Sequence, residues 1–576
     1  MKFPPSSPAA TVAFGLRATM STLALAALAA CDGSSDPATP VTPPAAALGL
    51  TGTAATGAAV AARTVEAKCR AGTGTATTAA DGSYTMSITA GTLPCALRVT
   101  LADASVLHSL ALGTGGAGTT ARANLTPASQ LVLARLSGGD PAALYAGFDA
   151  TAAAALDATA VQAAATAVVQ VLRDAGVDLS AVGDLFSATL VAANGSTAGN
   201  AFDQALDLLR TRLTASGTTL AALADNVARN SPAAPAASLS ATVSLPAAQL
   251  LQPAAAHCAA LRSGSYRSVT ASPSADGQFL TGVSTFNAST QTFSNSNGTY
   301  PLTPVAGVPC RFIQADGTSV VVSQAGVVVF SPLENRVSRI GVAFPEQTIP
   351  LAELAGEWNN LGSNSNAGLN TLTSATVTVN TSGAITSGQF CDGLRTCVPI
   401  TGGNAIRVNS TGGFERFSTS DSFIDRFFAY RTGGGELMAV SVSLDGTLRF
   451  FTRKRVNTLP VLPAAANNTW GLTANNLGVA AAITDSSNTV ISVNAASNSF
   501  VRSNIINFGT GVTRQETLAI NSPRDGYSTR RGETVTASDG STSTVPEFIA
   551  LGLRGTGLSA VAFPGSNQLN VSVVKP

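Results

Sequence analysis

Hydrophobic and polar positions along the 576-residue chain change their period several times, and each change marks a boundary. Ala18 to Ala30 is an uncharged run rich in Leu and Ala; it is too short to span a bilayer, which takes about 20 residues. Residues 31–47 are Pro, Ser, Thr and Ala with no apolar period, which predicts an extended tether. From 48 to 122 the pattern becomes short strands. Leu50-Thr51-Gly52-Thr53 and Gly57-Ala58-Ala59-Val60 precede the alternating Thr64-Val65-Glu66-Ala67-Lys68-Cys69, and Asp81-Gly82 is a turn entering a strand at Ser83-Tyr84.

Between 123 and 230 the period becomes helical. Thr126-Pro127 and Asp140-Pro141 each place a capping side chain before a proline at the first helical position. Val161, Ala164, Val168, Val171, Leu172 and Ala175 trace one stripe that stops at Gly176, and Phe202, Ala205, Leu206, Leu209 and Leu213 trace another that ends near Ser216-Gly217. This predicts an Ala-rich bundle of four or five helices whose scattered Asp and Arg form a solvated face. Residues 231–257 return to Pro, Ala and Ser, a second linker that includes His257.

The remainder is β throughout and repeats itself, in units over 258–352, 353–465 and 466–576. Val320-Val321-Val322, Ala375-Val377-Val379 and Val440-Val442-Leu444 show a period of two. Turns are marked by Asp276-Gly277, Asn297-Gly298, Asp316-Gly317, Asp445-Gly446, Asp525-Gly526 and Asp539-Gly540. Phe427-Phe428-Ala429, Leu437-Met438-Ala439-Val440, Leu448 and Lys454 recur without a gap 121 positions later as Phe548-Ile549-Ala550, Leu558-Ser559-Ala560-Val561, Leu569 and Lys575. Aromatic openings echo as well, at Tyr266, Trp358 and Trp470. Gly356-Glu357-Trp358 resembles the first strand of lipocalin-type barrels, in which the Trp plugs one end; barrels, sandwiches and propeller-like sheets all remain compatible.

Two further resemblances concern the front of the chain. With Lys2 and Arg17 ahead of the apolar run, residues 1–30 read as a secretory signal. Leu28-Ala29-Ala30-Cys31 resembles the lipobox of bacterial lipoproteins. That resemblance implies cleavage before Cys31, acylation of its thiol, and a membrane partner held through several lipid chains. The early glycines, the Thr78-to-Tyr84 turn and the returning strand Cys95-Ala96-Leu97-Arg98-Val99-Thr100 resemble the carboxypeptidase regulatory-like, transthyretin-like β-sandwich over about 75 residues. Such modules are usually spacers or binding domains without chemistry of their own.

Composition sharpens this picture. Lys+Arg 33 against Asp+Glu 32 leaves no net field, so nucleic acid is not an expected partner. With Cys31 assigned to lipid, Cys69, Cys95, Cys258, Cys310, Cys391 and Cys397 form an even set that reads as disulfides between sequence neighbours, although 15 pairings are formally open. The only histidines are His108 and His257, in strand-end and linker contexts, and no C-x-x-C occurs, so no metal site or cofactor is expected. Nucleophile elbows, phosphate loops and calcium loops are all missing from the sequence. Glu353, Glu357, Asp421 and Asp425 are candidates for a carboxylate pair by residue type alone. Leu448 to Arg455 interleaves Phe with Arg, the pattern of a charge-guarded edge strand with Phe inward and Arg outward.

The expected architecture is multidomain and mainly β with a central α-helical bundle: a β-sandwich, the bundle, then three barrel- or sandwich-like β-repeats. The expected role is a lipid-anchored protein of the bacterial cell envelope, on the outer membrane or the periplasmic face of the inner one. It would bind a glycan, an envelope component or a protein and perform no catalysis. An extracytoplasmic hydrolase of polysaccharide or peptide and a purely structural assembly protein are the alternatives.

Overall fold

A computed structural model of the chain describes residues 46–195, 197–231, 243–270, 281–334, 337–364, 372–392, 396–443, 446–473, 483–565 and 568–576. The signal, Cys31, most of the tether, residues 232–242 of the second linker, and the turns at Asp276-Gly277 and Asp445 lie outside the described residues.

The first described element is a two-sheet sandwich. Strands Ala47–Thr53, Ser83–Thr89 and Thr120–Arg122 form one sheet; Thr64–Ala71, Thr73–Thr77, Thr92–Thr100 and Val106–Ala111 form the other. Alternation puts Leu48, Leu50, Val65, Tyr84, Met86, Ile88, Leu97 and Val99 into the core between them. Gly52 sits where a Cβ would fall 1.9 Å from the Ala123 carbonyl oxygen, so the strand crossing requires a residue without one. Cys69 and Cys95 face each other on paired strands and are joined as a disulfide. Gly57-Ala58-Ala59-Val60, expected as a strand, contributes only the single bridge Ala55–Ala59. Gly57 there adopts a positive φ of 87° with its backbone packed against Asp207, which breaks the pleat. His108, expected near a strand end, is buried within Val106–Ala111.

Among the described residues, six helices lie between the sandwich and the second linker: Pro127–Ser137, Pro141–Ala146, Ala150–Ala154, Ala158–Asp174, Ala201–Ser216 and Leu220–Arg229. Their apolar stripes share one core with Ala96 and Leu110 of the sandwich. The aspartates of this region do more than solvate a face. Asp140, Asp149 and Asp157 each cap a helix by accepting backbone N–H bonds at 2.8–2.9 Å, and Thr126 closes a capping box with Ser129. The second linker is also partly structured. Ala254–Ala255 pairs with Cys258–Arg262, His257 lies in the turn between them, and its carbonyl accepts the Cys310 N–H at 3.0 Å.

The rest of the chain forms three antiparallel β-units in tandem. In each, the opening strand hydrogen-bonds to the closing one: Gly264–Thr270 to Gly341–Pro345, Gly356–Asn364 to Thr447–Arg453, and Asn467–Thr473 to Gln568–Val574. The first two units are nine-stranded sheets, and the third is a closed barrel of eight strands with a side hairpin, Glu533–Thr536 and Thr542–Val545. Because the closing strand Thr447–Arg453 lies between two neighbours, it is no edge, contrary to the edge-strand expectation for 448–455. Phe450 and Phe451 are consecutive and therefore point to opposite faces, Phe450 outward and Phe451 inward.

Outward faces of all three units merge into one core containing Val269, Phe344, Tyr430, Val440, Phe450, Trp470, Leu551 and Val571. Trp358 faces inward, over its own unit's interior, and its Nε1 donates to the Leu354 carbonyl at 2.8 Å. Trp470 faces outward, so the expected equivalence of the two Trp positions fails by one residue; strand pairing matches Trp358 with Thr469 instead. The ungapped 121-residue match likewise fails in the penultimate strands, where Leu437 points inward and Leu558 outward. The hairpin before each of these strands differs in length, which shifts the register. The other disulfides are Cys258–Cys310 and Cys391–Cys397; the latter bridges paired residues of one hairpin whose tip, 393–395, is outside the described residues.

Two tyrosines lock neighbouring units together. The Tyr430 hydroxyl donates to the Ala325 carbonyl at 2.5 Å, and the Tyr527 hydroxyl lies 2.8 Å from the Asn360 carbonyl and 3.0 Å from that of Ala375. All of these groups are buried, so an unmade bond leaves a desolvated carbonyl. Tyr430→Phe and Tyr527→Phe are each expected to lower unfolding free energy by about 1–2 kcal/mol in urea titrations, with the disulfides intact; unchanged midpoints would contradict this account of how the units are joined.

Candidate functional site

Alternation in a closed barrel sends every second side chain into the lumen. The three units share a frame but differ in what fills it. In the second unit, Trp358, Phe427 and Phe451 meet at ring-centroid distances of 5.0–6.5 Å and leave a void of only about 70 Å³. The first unit encloses about 470 Å³ beneath Tyr266, Phe293 and Phe330. The lumen of the third is the largest of these, about 830 Å³.

The third lumen mixes polar and apolar lining, with Phe500, Leu518, Ile520, Phe548 and Phe563 on its apolar side. Thr469, Thr484, Ser486, Asn488, Asn570 and Ser572 line part of its wall, and Arg502, Arg514, Arg530 and Arg554 project into it. Behind the arginines lies Glu516, with a fully buried side chain. Its Oε1 accepts from Arg514 Nε at 2.8 Å, and its Oε2 from Arg502 Nη2 at 3.0 Å and Arg530 Nη1 at 2.9 Å. The Arg530 guanidinium also stacks on Phe548, 4.6 Å from the ring centroid, and donates to the Pro546 carbonyl at 2.6 Å. Burial by itself would raise the Glu516 carboxyl, but the charges of Arg502 and Arg530 override it and hold the group at about 2. One carboxylate thus fixes three guanidinium groups in place and neutralises only one of them.

Arg514-Gln515-Glu516 shows in sequence that residues 514 and 516 share a strand face. Nothing local shows that Arg502 stands directly across from Glu516, or that Arg530 joins them. Those facts follow from cross-strand contacts between residues 14 apart in sequence.

Each of the four carboxylates named as a possible pair is engaged by its own cation. Glu357 pairs with Lys454 at 3.1 Å, Asp421 with Arg407 at 2.6 Å, Asp425 with Arg416 at 2.6 Å, and Glu353 with Arg431. Asp425 is buried inside the second unit, where Arg449 also approaches it at 3.5 Å. His108 Nδ1 lies 3.0 Å from Gln130 Oε1, and burial lowers its pKa, which favours a neutral ring. Among the described residues no group of three or more His, Cys, Asp or Glu side chains is placed to hold a metal ion. No helix among them is long and apolar enough to cross a membrane.

No family model matches the chain, and no curated protein matches it. Among solved structures it is similar to transferrin binding protein B from Haemophilus parasuis, at 8% identity over 54% of this chain and 76% of that one, with a TM-score of 0.17. It is also similar to isotype 1 transferrin binding protein B from serogroup B Neisseria meningitidis, at 10% identity over 51% of this chain and 62% of that one, with a TM-score of 0.13. Scores this low assign neither fold nor function.

The Glu516 cluster makes a prediction about acid. Its carboxyl sits at about 2 when folded against 4.5 as its ordinary value. The stabilisation it provides is therefore complete above pH 4.5 and is lost as pH falls toward 2, about 3 kcal/mol in all. Urea titrations between pH 5 and pH 2 are expected to show this loss, and Glu516→Gln is expected to flatten the slope while lowering stability at pH 7. An unchanged slope in the variant would contradict the assignment.

Proposed function

We propose that the chain is a non-enzymatic binding protein of the bacterial cell envelope, attached to a membrane through lipid on Cys31, with its β-units as the binding part. The observation that carries the reading is the third unit, a closed eight-stranded barrel around a lumen of about 830 Å³ with mixed polar and apolar lining. Binding sites are typically concave and of about 300–1,000 Å³, with a few convergent polar groups. Three disulfides support an oxidising compartment. The sandwich and bundle then act as the stem that carries the barrels, in keeping with the resemblance of 48–122 to transthyretin-like spacer modules. The hydrolase alternative gains no support from its carboxylate candidates, each of which is held in its own ion pair. A glycan, an envelope component or an envelope protein is the partner class this reading retains.

Cys31→Ser is expected to abolish lipid labelling and move the protein from the membrane fraction to the soluble one; a variant that still sediments with membranes would count against the anchor. The released protein, screened on a glycan array, is expected to retain ligand unchanged in mass. Cleavage of a bound glycan would refute the non-enzymatic half.

A further inference from the structure

The second and third units can be compared position by position through their strand pairing. Trp358 opposes Arg453 as Thr469 opposes Val574, and Asn360 opposes Phe451 as Gly471 opposes Ser572. Phe427 opposes Ser441 as Ala550 opposes Val561. The three rings that plug the second unit, Trp358, Phe451 and Phe427, are thus replaced at matching positions by Thr469, Ser572 and Ala550. At these matched positions the second unit is filled with rings and the third is not.

The third lumen is also charged beyond what the fold needs. Burying ion clusters is no efficient way to stabilise a core, since apolar residues of similar size do as well or better. Yet four arginines face this space, one buried glutamate answers three of them, and no acidic side chain lines the cavity among the described residues. Arg530 is 4% exposed, and its Nε is buried without a hydrogen-bond partner. Such an atom is costly to leave unsatisfied. Guanidinium forks fit carboxylate and phosphate oxygens two at a time, and Glu516 together with Phe548 holds these forks in place before any ligand arrives. The surrounding Ser, Thr and Asn side chains offer donors and acceptors to hydroxyl groups.

We propose that the lumen of the third barrel binds a small hydroxylated organic anion, a sugar acid or sugar phosphate, with its charge on the arginines and its hydroxyls on the Ser/Thr/Asn wall. This deepens the binding role proposed above and rests on it.

The test uses the Cys31→Ser full-length protein, with calorimetric titration and thermal melts against glucuronate, glucose 6-phosphate and glucose. One or both anions are expected to bind and raise the melting temperature, with affinity falling as salt rises, whereas glucose does not. Which anion binds decides between the carboxylate and the phosphate source. Arg554→Gln, which leaves the Glu516 cluster untouched, is expected to weaken binding about tenfold. Ser572→Phe restores the ring found at the matching position of the second unit and is expected to abolish binding without lowering the melting temperature. No binding of either anion, equal binding of glucose, or undiminished binding by both variants would overturn the proposal. Such a failure would leave the lipid-anchor and glycan-array results standing, so the broader reading fails or survives separately.

Discussion

Pairing of the first strand of each β-unit with its last is the constraint on which the rest of the molecule depends. It turns a run of hairpins into a ring or near-ring with a fixed inside and outside. Once the ring is set, alternation gives every strand one face to the lumen and one to its neighbours. The outward faces of the three units are apolar enough to merge into a single core, tied by Tyr430 and Tyr527 across the joins. The units consequently behave as parts of one body, and each interior is left free to vary.

That freedom is visible in the interiors. The second unit fills its lumen with aromatic rings and neutralises Asp425 with Arg416 and Arg449. The third uses a related device, a buried carboxylate among arginines, but lacks the rings at the positions of Trp358, Phe427 and Phe451 and keeps an excess of positive charge. One interior is packed with rings, and the other is hollow and braced by a charged cluster. Part of the difference lies in three side chains at matched positions of the two units.

Much of the architecture was legible in the chain. The change from period two to period 3.6 and back places the sandwich, the helices and the β-units, because those periods are backbone geometry and do not depend on partners. Proline and capping residues located the helix starts at Pro127 and Pro141 for the same reason. The failures share a cause. Matching Trp470 to Trp358, aligning Leu558 with Leu437, and reading 448–455 as an edge each required knowing which residue stands across the sheet from which. A one-residue change in a hairpin reverses every face beyond it.

By itself, then, the amino-acid sequence determined the periods, the caps, the turn residues and the pool of cysteines, all of which are settled within a few residues of chain. The tertiary structure alone decided which faces became interior, which lumen stayed empty, and that Arg502, Arg514 and Arg530 converge on Glu516. The physical reason is range. Local conformation is fixed by a residue and its near neighbours, whereas a lumen is made by strands up to about a hundred residues apart in sequence, such as Asn467–Thr473 and Gln568–Val574, whose register is chosen only when the ring closes.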